Sequence, residues 1–247
     1  MRLIQLLRIN FDEETKKSVD RQDGVYSIIY YAFYIVLMLL FGLLVFKTQI
    51  YQSLGSYFSS KTLFRLVFYF PYVLINLIPL FIILKLRKQS IRSIGIKIEK
   101  AGRSVVIGII GSIPFTLLNI SGPISSGKTV NPDLFDLIWS FLYYLICIAL
   151  VEELVFRGFL QTRIQGLIGN KWLGIIVVGI LFGLMHVPFQ MMRANMPIFE
   201  FIMYDMPHLI TTCIIHVYLV FLYTRDNNIL APTIAHAIIN FSYDIFV

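Results

Sequence analysis

The sequence predicts an all-α, polytopic membrane protein, a single bundle of about seven transmembrane helices with eight as the alternative count. Three observations lead there. Hydrophobic residues make up 57% of the 247 positions and mean hydropathy is +0.77. Charged residues make up only 14%, against about 25% in ordinary soluble chains. The apolar residues fall in long uninterrupted runs, and the charges sit in the short segments between them. A net charge of +7 arranged in this way reflects membrane topology and argues against a nucleic-acid partner.

Residues 1–24 form a cytoplasmic N-terminal segment of mixed charge, and 25–247 form one transmembrane domain. No apolar core long enough for a cleavable signal peptide follows Arg2. Leu3, Ile4, Leu6, Leu7 and Ile9 are spaced for a short interfacial helix. Spans are expected at 25–46, 62–84, 104–120, 134–160, 172–189, 207–223 and 229–247, given about 20 residues per crossing. Pro71 and Pro79 predict kinks in the second. Cys147 and Cys213 lie inside apolar runs, as small buried hydrophobes do.

Orientation follows from the basic residues. Sixteen fall on one side: five in the N-terminal segment, seven in 85–103, then Arg157, Arg163, Lys171 and Arg225. Lys47, Lys61, Arg65, Lys128 and Arg193 fall on the other. The richer side is cytoplasmic, which puts the N-terminus inside. Gln161, Arg163 and Gln165 are too polar for lipid, so the fourth helix is expected to project into the cytoplasm before turning at Gly169-Asn170.

That fourth run carries Glu152, Glu153 and Arg157, and a charge at mid-bilayer costs about 2.5–3.5 kcal/mol on insertion scales. Glu153 and Arg157 are i,i+4 neighbours and can pair. Glu152 lies about 100° round the helix from Glu153 and has no such partner in its own segment. A structural ion cluster, a proton path and a general base all fit these three residues. Three further polar residues narrow the choice. His186 follows Phe182 by one helical turn, and His236 and Asn240 stack at i,i+4 in the last run. Counted from the Gly169-Asn170 turn, Glu153 and His186 each lie 16 residues along antiparallel helices, hence at matching depth. Together these groups suit peptide hydrolysis. Glu152 and His186 can hold and deprotonate a water, while His236 and Asn240 donate hydrogen bonds to the oxyanion. A rival arrangement uses Glu152, His186 and His236 as ligands to zinc. No compact His-Glu-x-x-His signature is present, which favours the version without a cofactor.

Glu152-Glu153-x-x-x-Arg157, Phe182-x-x-x-His186 and His236-x-x-x-Asn240, in that order, resemble the three motifs of the CPBP (Abi) family over about 135–247. That family contains CAAX prenyl endopeptidases and bacteriocin-processing or immunity proteins. The resemblance implies an intramembrane endopeptidase in which Glu152 matches the catalytic glutamate and Glu153 with Arg157 the supporting pair. It implies that His186 holds the water and that His236 and Asn240 form the oxyanion site. The family is often labelled a metalloprotease, and a metal-free glutamate mechanism is also argued for it. The implied substrate is a membrane-associated peptide or protein. A composition rich in Ile, Phe, Tyr and Lys suits a low-GC bacterium and its plasma membrane, pointing away from prenylated substrates.

Other readings are weaker. Gly122-Pro-Ile-Ser-Ser-Gly127-Lys128-Thr129 fits the nucleotide-binding pattern letter for letter, but it links two membrane helices rather than a strand and a helix, so no nucleotide is expected. His208 and His216 share a face of the sixth run, where packing or cavity lining is the simpler role. A proton-coupled carrier would use Glu152 and Glu153 as titrating sites, but the chain shows no inverted repeat. A non-catalytic immunity or regulatory protein of the same fold is the remaining alternative.

Overall fold

The computed structural model describes residues 8–247, so Leu3, Ile4, Leu6 and Leu7 of the expected interfacial helix lie outside the described residues, while Ile9 is buried and not helical. The described residues are helical, with one isolated bridge pairing Val130 and Phe246. Short helices Glu13–Ser18 (α1) and Ile50–Gly55 (α3) flank Arg21–Lys47 (α2). Then come Lys61–Leu86 (α4), Ala101–Ser125 (α5) and the continuous Leu134–Ile168 (α6). Lys171–Leu184 (α7) and Val187–Ala194 (α8) follow, then Ile198–Tyr223 (α9) and Leu230–Phe241 (α10). Among the described residues six stretches are long and apolar enough to cross a membrane: α2, α4, α5, α6, α7 with α8, and α9. The seventh, α10, has 12 residues.

Local chemistry sets the ends. Asp20 and Asp23 form a reciprocal capping box at the start of α2. Ser60 caps α4 by accepting from the Leu63 amide, and Asn170 caps α7 by accepting from that of Leu173. Gly169 ends α6 at φ 74°, the left-handed conformation that glycine adopts without a Cβ penalty.

Four expectations change. The sixth helix begins at Ile198, not 207, because Glu200, Asp205 and Pro207 lower the apparent hydropathy of its first turns. The fifth breaks at Met185-His186, and Pro188 opens the next helix. The last run stops being helical after Phe241, since 242–247 instead runs back along residues 129–131 through Asn131 N–H to Ile245 C=O and Val247 N–H to Thr129 C=O. Nor do the polar residues after Arg157 project into solvent. Gln161 and Arg163 are fully buried. The Arg163 guanidinium donates to Ser93 (backbone and hydroxyl), Gln89 and Gly158 C=O, tying the 89–94 turn across the end of α6. Gly122–Thr129 closes the C-terminal end of α5 and so offers no helix N-terminus to a phosphate.

The axis of the bundle is α6. Every residue from Val151 to Ile164 is buried, while large apolar side chains on α2, α4, α5, α7 and α9 face outward as lipid requires. Buried small residues let α5 lie close to its neighbours. A Cβ on Gly108 would come within 2.6 Å of the Ala231 carbonyl, and one on Gly111 within 2.8 Å of Leu222.

The two ends of the bundle are tied separately. At one, Arg87 pairs with Asp20 and Asp23, Lys97 with Asp12, and the Lys171 ammonium donates to Ile9 C=O. At the other, Arg65 pairs with Asp244 (2.6 Å), and Lys47 hydrogen-bonds to Asn195.

Removing the Arg163 guanidinium would leave several buried acceptors without donors, each costing about 1–3 kcal/mol. Arg163→Met should therefore lower the unfolding midpoint in detergent by roughly 5 °C or more, at about 2–4 °C per kcal/mol for a chain of this size. Partial burial alone would raise the Asp12 carboxyl, but hydrogen bonds from Lys97 and Thr15 outweigh it and hold it below the ordinary carboxylate range. A depressed carboxylate stabilises above its unfolded value, about 3.9, and that contribution is lost as pH falls through the lower folded value. Limited proteolysis should thus find 8–18 protected at pH 6 and increasingly cut below about pH 4, with Asp12→Asn already susceptible at pH 6.

Candidate active site

The polar residues of α6, α7 and α10 meet at one cavity of about 390 Å³. Glu152, Phe182, His186, His236 and Asn240 all line it, so four of the residues singled out as catalytic share one space. Glu153 and Arg157 stand behind it, both fully buried.

Two wide π-helical turns, Tyr143–Ala149 and Leu154–Leu160, flank the single α-helical turn Leu150–Glu153 that carries the carboxylates. Glu153 Oε1 accepts from Arg157 Nη1 at 2.9 Å and from His236 Nδ1 at 2.7 Å. The sequence offers the first contact through i,i+4 spacing. The second spans 83 residues and has no local signal. It has a chemical consequence: Nδ1 carries the proton given to Glu153, so Nε2 of His236 is turned toward Glu152, 3.8 Å from Oε2. Oε2 is buried and has no hydrogen-bond partner within the protein, while the Glu152 side chain as a whole lines the cavity.

His186 occupies the junction between α7 and α8. Its Nδ1 lies 2.9 Å from the Phe182 carbonyl, which can only accept, so the proton sits on Nδ1 and Nε2 keeps its lone pair. Phe182 has a second task. Its ring covers the Arg157 guanidinium at 4.1 Å and stands edge-on to His186 at 5.4 Å. A polar side chain at 182 could not cover the buried cation in this way.

Several lining residues were not singled out in the sequence: Tyr143, Tyr144, Gln190, Arg193 and Tyr243. Tyr143 and Tyr144 resemble any bundle aromatics in sequence, and Gln190 and Arg193 reach the cavity only because the chain turns at His186. His208 also lines it, held by Asp205 at 2.9 Å. His216 does not, and hydrogen-bonds to Gln161 instead. Among the described residues no group of three His, Cys, Asp or Glu side chains is gathered closely enough to hold a metal ion.

Residues 134–242 match the family model described as Type II CAAX prenyl endopeptidase Rce1-like. The match covers 109 of the 247 residues and supports a CAAX-type intramembrane protease. The match begins at the first residue of α6 and ends one residue past α10, so it contains all three motif-bearing helices. Searches of curated proteins and of solved structures give no match.

Breaking a buried ion pair from one side costs about 3–5 kcal/mol, because the other charge is left without a partner. Arg157→Met should destabilise the protein on that scale in detergent unfolding. Adding Glu153→Gln to it should recover a substantial part of the loss. Simple additivity of the two substitutions would show that the pair is not energetically coupled.

Proposed function

We propose that the protein is a metal-independent, glutamate-dependent intramembrane endopeptidase acting on a membrane-associated peptide or protein. The match to a protease family supports the reaction class. The single observation that carries the assignment of roles is the Glu152 side chain, with one buried carboxylate oxygen unpartnered, lining a cavity shared with His186, His236 and Asn240.

In this mechanism Glu152 and Nε2 of His186 accept the two hydrogens of one water. Glu152 takes a proton as the water oxygen attacks the scissile carbonyl, and the tetrahedral oxyanion forms. Asn240 donates its amide N–H to that oxyanion. His236 donates from Nε2 in its doubly protonated form, with Glu153 supplying the counter-charge at Nδ1. Collapse of the intermediate breaks the C–N bond, and Glu152 returns its proton to the leaving amine. Arg157 and Phe182 act through others, the first by holding Glu153 and the second by fixing the His186 tautomer and covering Arg157.

General-base removal costs about 10²–10⁴-fold and loss of one oxyanion donor about 10²–10³-fold. Cleavage of a membrane peptide by purified protein in detergent should therefore fall at least a hundredfold in Glu152→Gln. It should fall about a hundredfold in Asn240→Ala, with kcat carrying the loss, and a chelator should leave the wild-type rate unchanged. Full cleavage by Glu152→Gln would overturn the assignment of Glu152 as the base, and absence of cleavage by the wild type would favour a binding role for the same fold. Inhibition by chelator with rescue by added zinc would overturn the metal-free step.

A further inference from the structure

The cavity has one closed end and one open end. Toward the end tied by Arg87 and Lys97 no α6 residue past Glu152 lines it, and α6 there is solid core: Val155, Phe156, Phe159 and Leu160 are at most 1% exposed, and Arg163 ties the turn beyond them. In the opposite direction the lining becomes accessible. Glu152 and His236 are 8% and 7% exposed, Asn240 and Gln190 are intermediate, and Arg193, His208 and Tyr243 are exposed, Tyr243 at 65%. Arg193 stands seven residues beyond His186 and Tyr243 seven beyond His236, each about 10 Å further along a helical path. The rim is fixed in place, since Asp244 accepts from Arg65 and from Ser140.

The ends of the bundle can be assigned to sides of the membrane. The structure gathers residues 8–24, 85–100, Lys171 and 225–229 at the closed end, through Asp12 N–H to Asn227, Asn228 to Lys97 C=O, and Arg225 to Arg8 C=O. The open end gathers Lys47, Lys61, Arg65, Lys128 and Arg193. Arg157, one of the sixteen basic residues counted on the richer side, lies inside the bundle, leaving fifteen against five. The closed end is therefore the cytoplasmic one by the positive-inside rule.

We propose that the cavity takes its peptide from the extracytoplasmic face, so that the substrate is a peptide or protein segment displayed at, or already moved across to, the outer border of the membrane. This rests on the protease reading for the word substrate, but the direction of access does not.

The test uses a background carrying Cys147→Ala and Cys213→Ala, the two native cysteines. Tyr243→Cys and, as a second mouth position, Arg193→Cys are introduced singly. Ile98→Cys, 92% exposed in the loop at the closed end, is the counterpart. A membrane-impermeant maleimide applied to intact cells should label the mouth variants, and should label Ile98→Cys only after permeabilisation. Labelling of Ile98→Cys in intact cells, or of both mouth variants only after permeabilisation, overturns the proposal. In a second readout, the bulky adduct on Tyr243→Cys should slow cleavage of a co-expressed membrane peptide at least tenfold in intact cells. If unlabelled wild type cleaves no peptide while the labelling pattern holds, the protease reading fails and the sidedness stands. If labelled Tyr243→Cys cleaves at the unlabelled rate, entry through this mouth is overturned.

Discussion

One carboxylate, Glu153, joins three helices' worth of structure. Its Oε1 is shared by a guanidinium one turn later on α6 and by an imidazole on α10, all of them shielded from lipid. Neither charge would be tolerable there alone, because hydrocarbon offers no substitute partner. The pairing neutralises Arg157, which in turn lets Phe182 lie flat against it, and Phe182 holds His186 through its carbonyl. Glu152 is the member of the pair left out of this chain. It lies beside the network, with its buried Oε2 unclaimed by any hydrogen bond within the protein.

The bundle around this network is built by two different physical rules. Along the flanks, packing depends on small residues, as where Gly108 and Gly111 bring α5 against the Ala231 backbone and Leu222. At the two ends, where water competes for hydrogen bonds, ion pairs and caps fasten the connecting segments instead. Arg163 belongs to both regimes, a cation without exposed surface whose partners are backbone and neutral side chains. Its placement explains why a stretch of α6 that is polar in sequence is not a solvent-facing extension.

The positions of the spans were readable because a bilayer demands long apolar runs, and the Glu153–Arg157 pair because a helix brings i and i+4 together. What was not readable depends on distant partners. Nothing near His236 announces Glu153, and nothing near Asp244 announces Arg65, so Ile245, Phe246 and Val247 read as more helix when they are extended. The break that places His186 at a junction was missed in a span read as continuous over 172–189, although Pro188 sits in the first turn of the helix that follows it. The start at Ile198 was hidden because Glu200 and Asp205 mask a helix that hydropathy alone begins only after Pro207.

The paired wide turns of α6 have a consequence for how this helix tolerates change in length. A π turn holds one more residue than an α turn, so each is in effect an insertion absorbed without breaking the rod. Deleting a single residue from Tyr143–Ala149 would let that turn relax to ordinary pitch with Leu134–Leu142 and the residues after Leu150 kept on nearly the same faces, whereas the same deletion in a plain α-helical stretch would turn one flank by about 100° against the other. The spare residue thus gives α6 a place where its length can change by one while α4 and α10 still meet the same flanks.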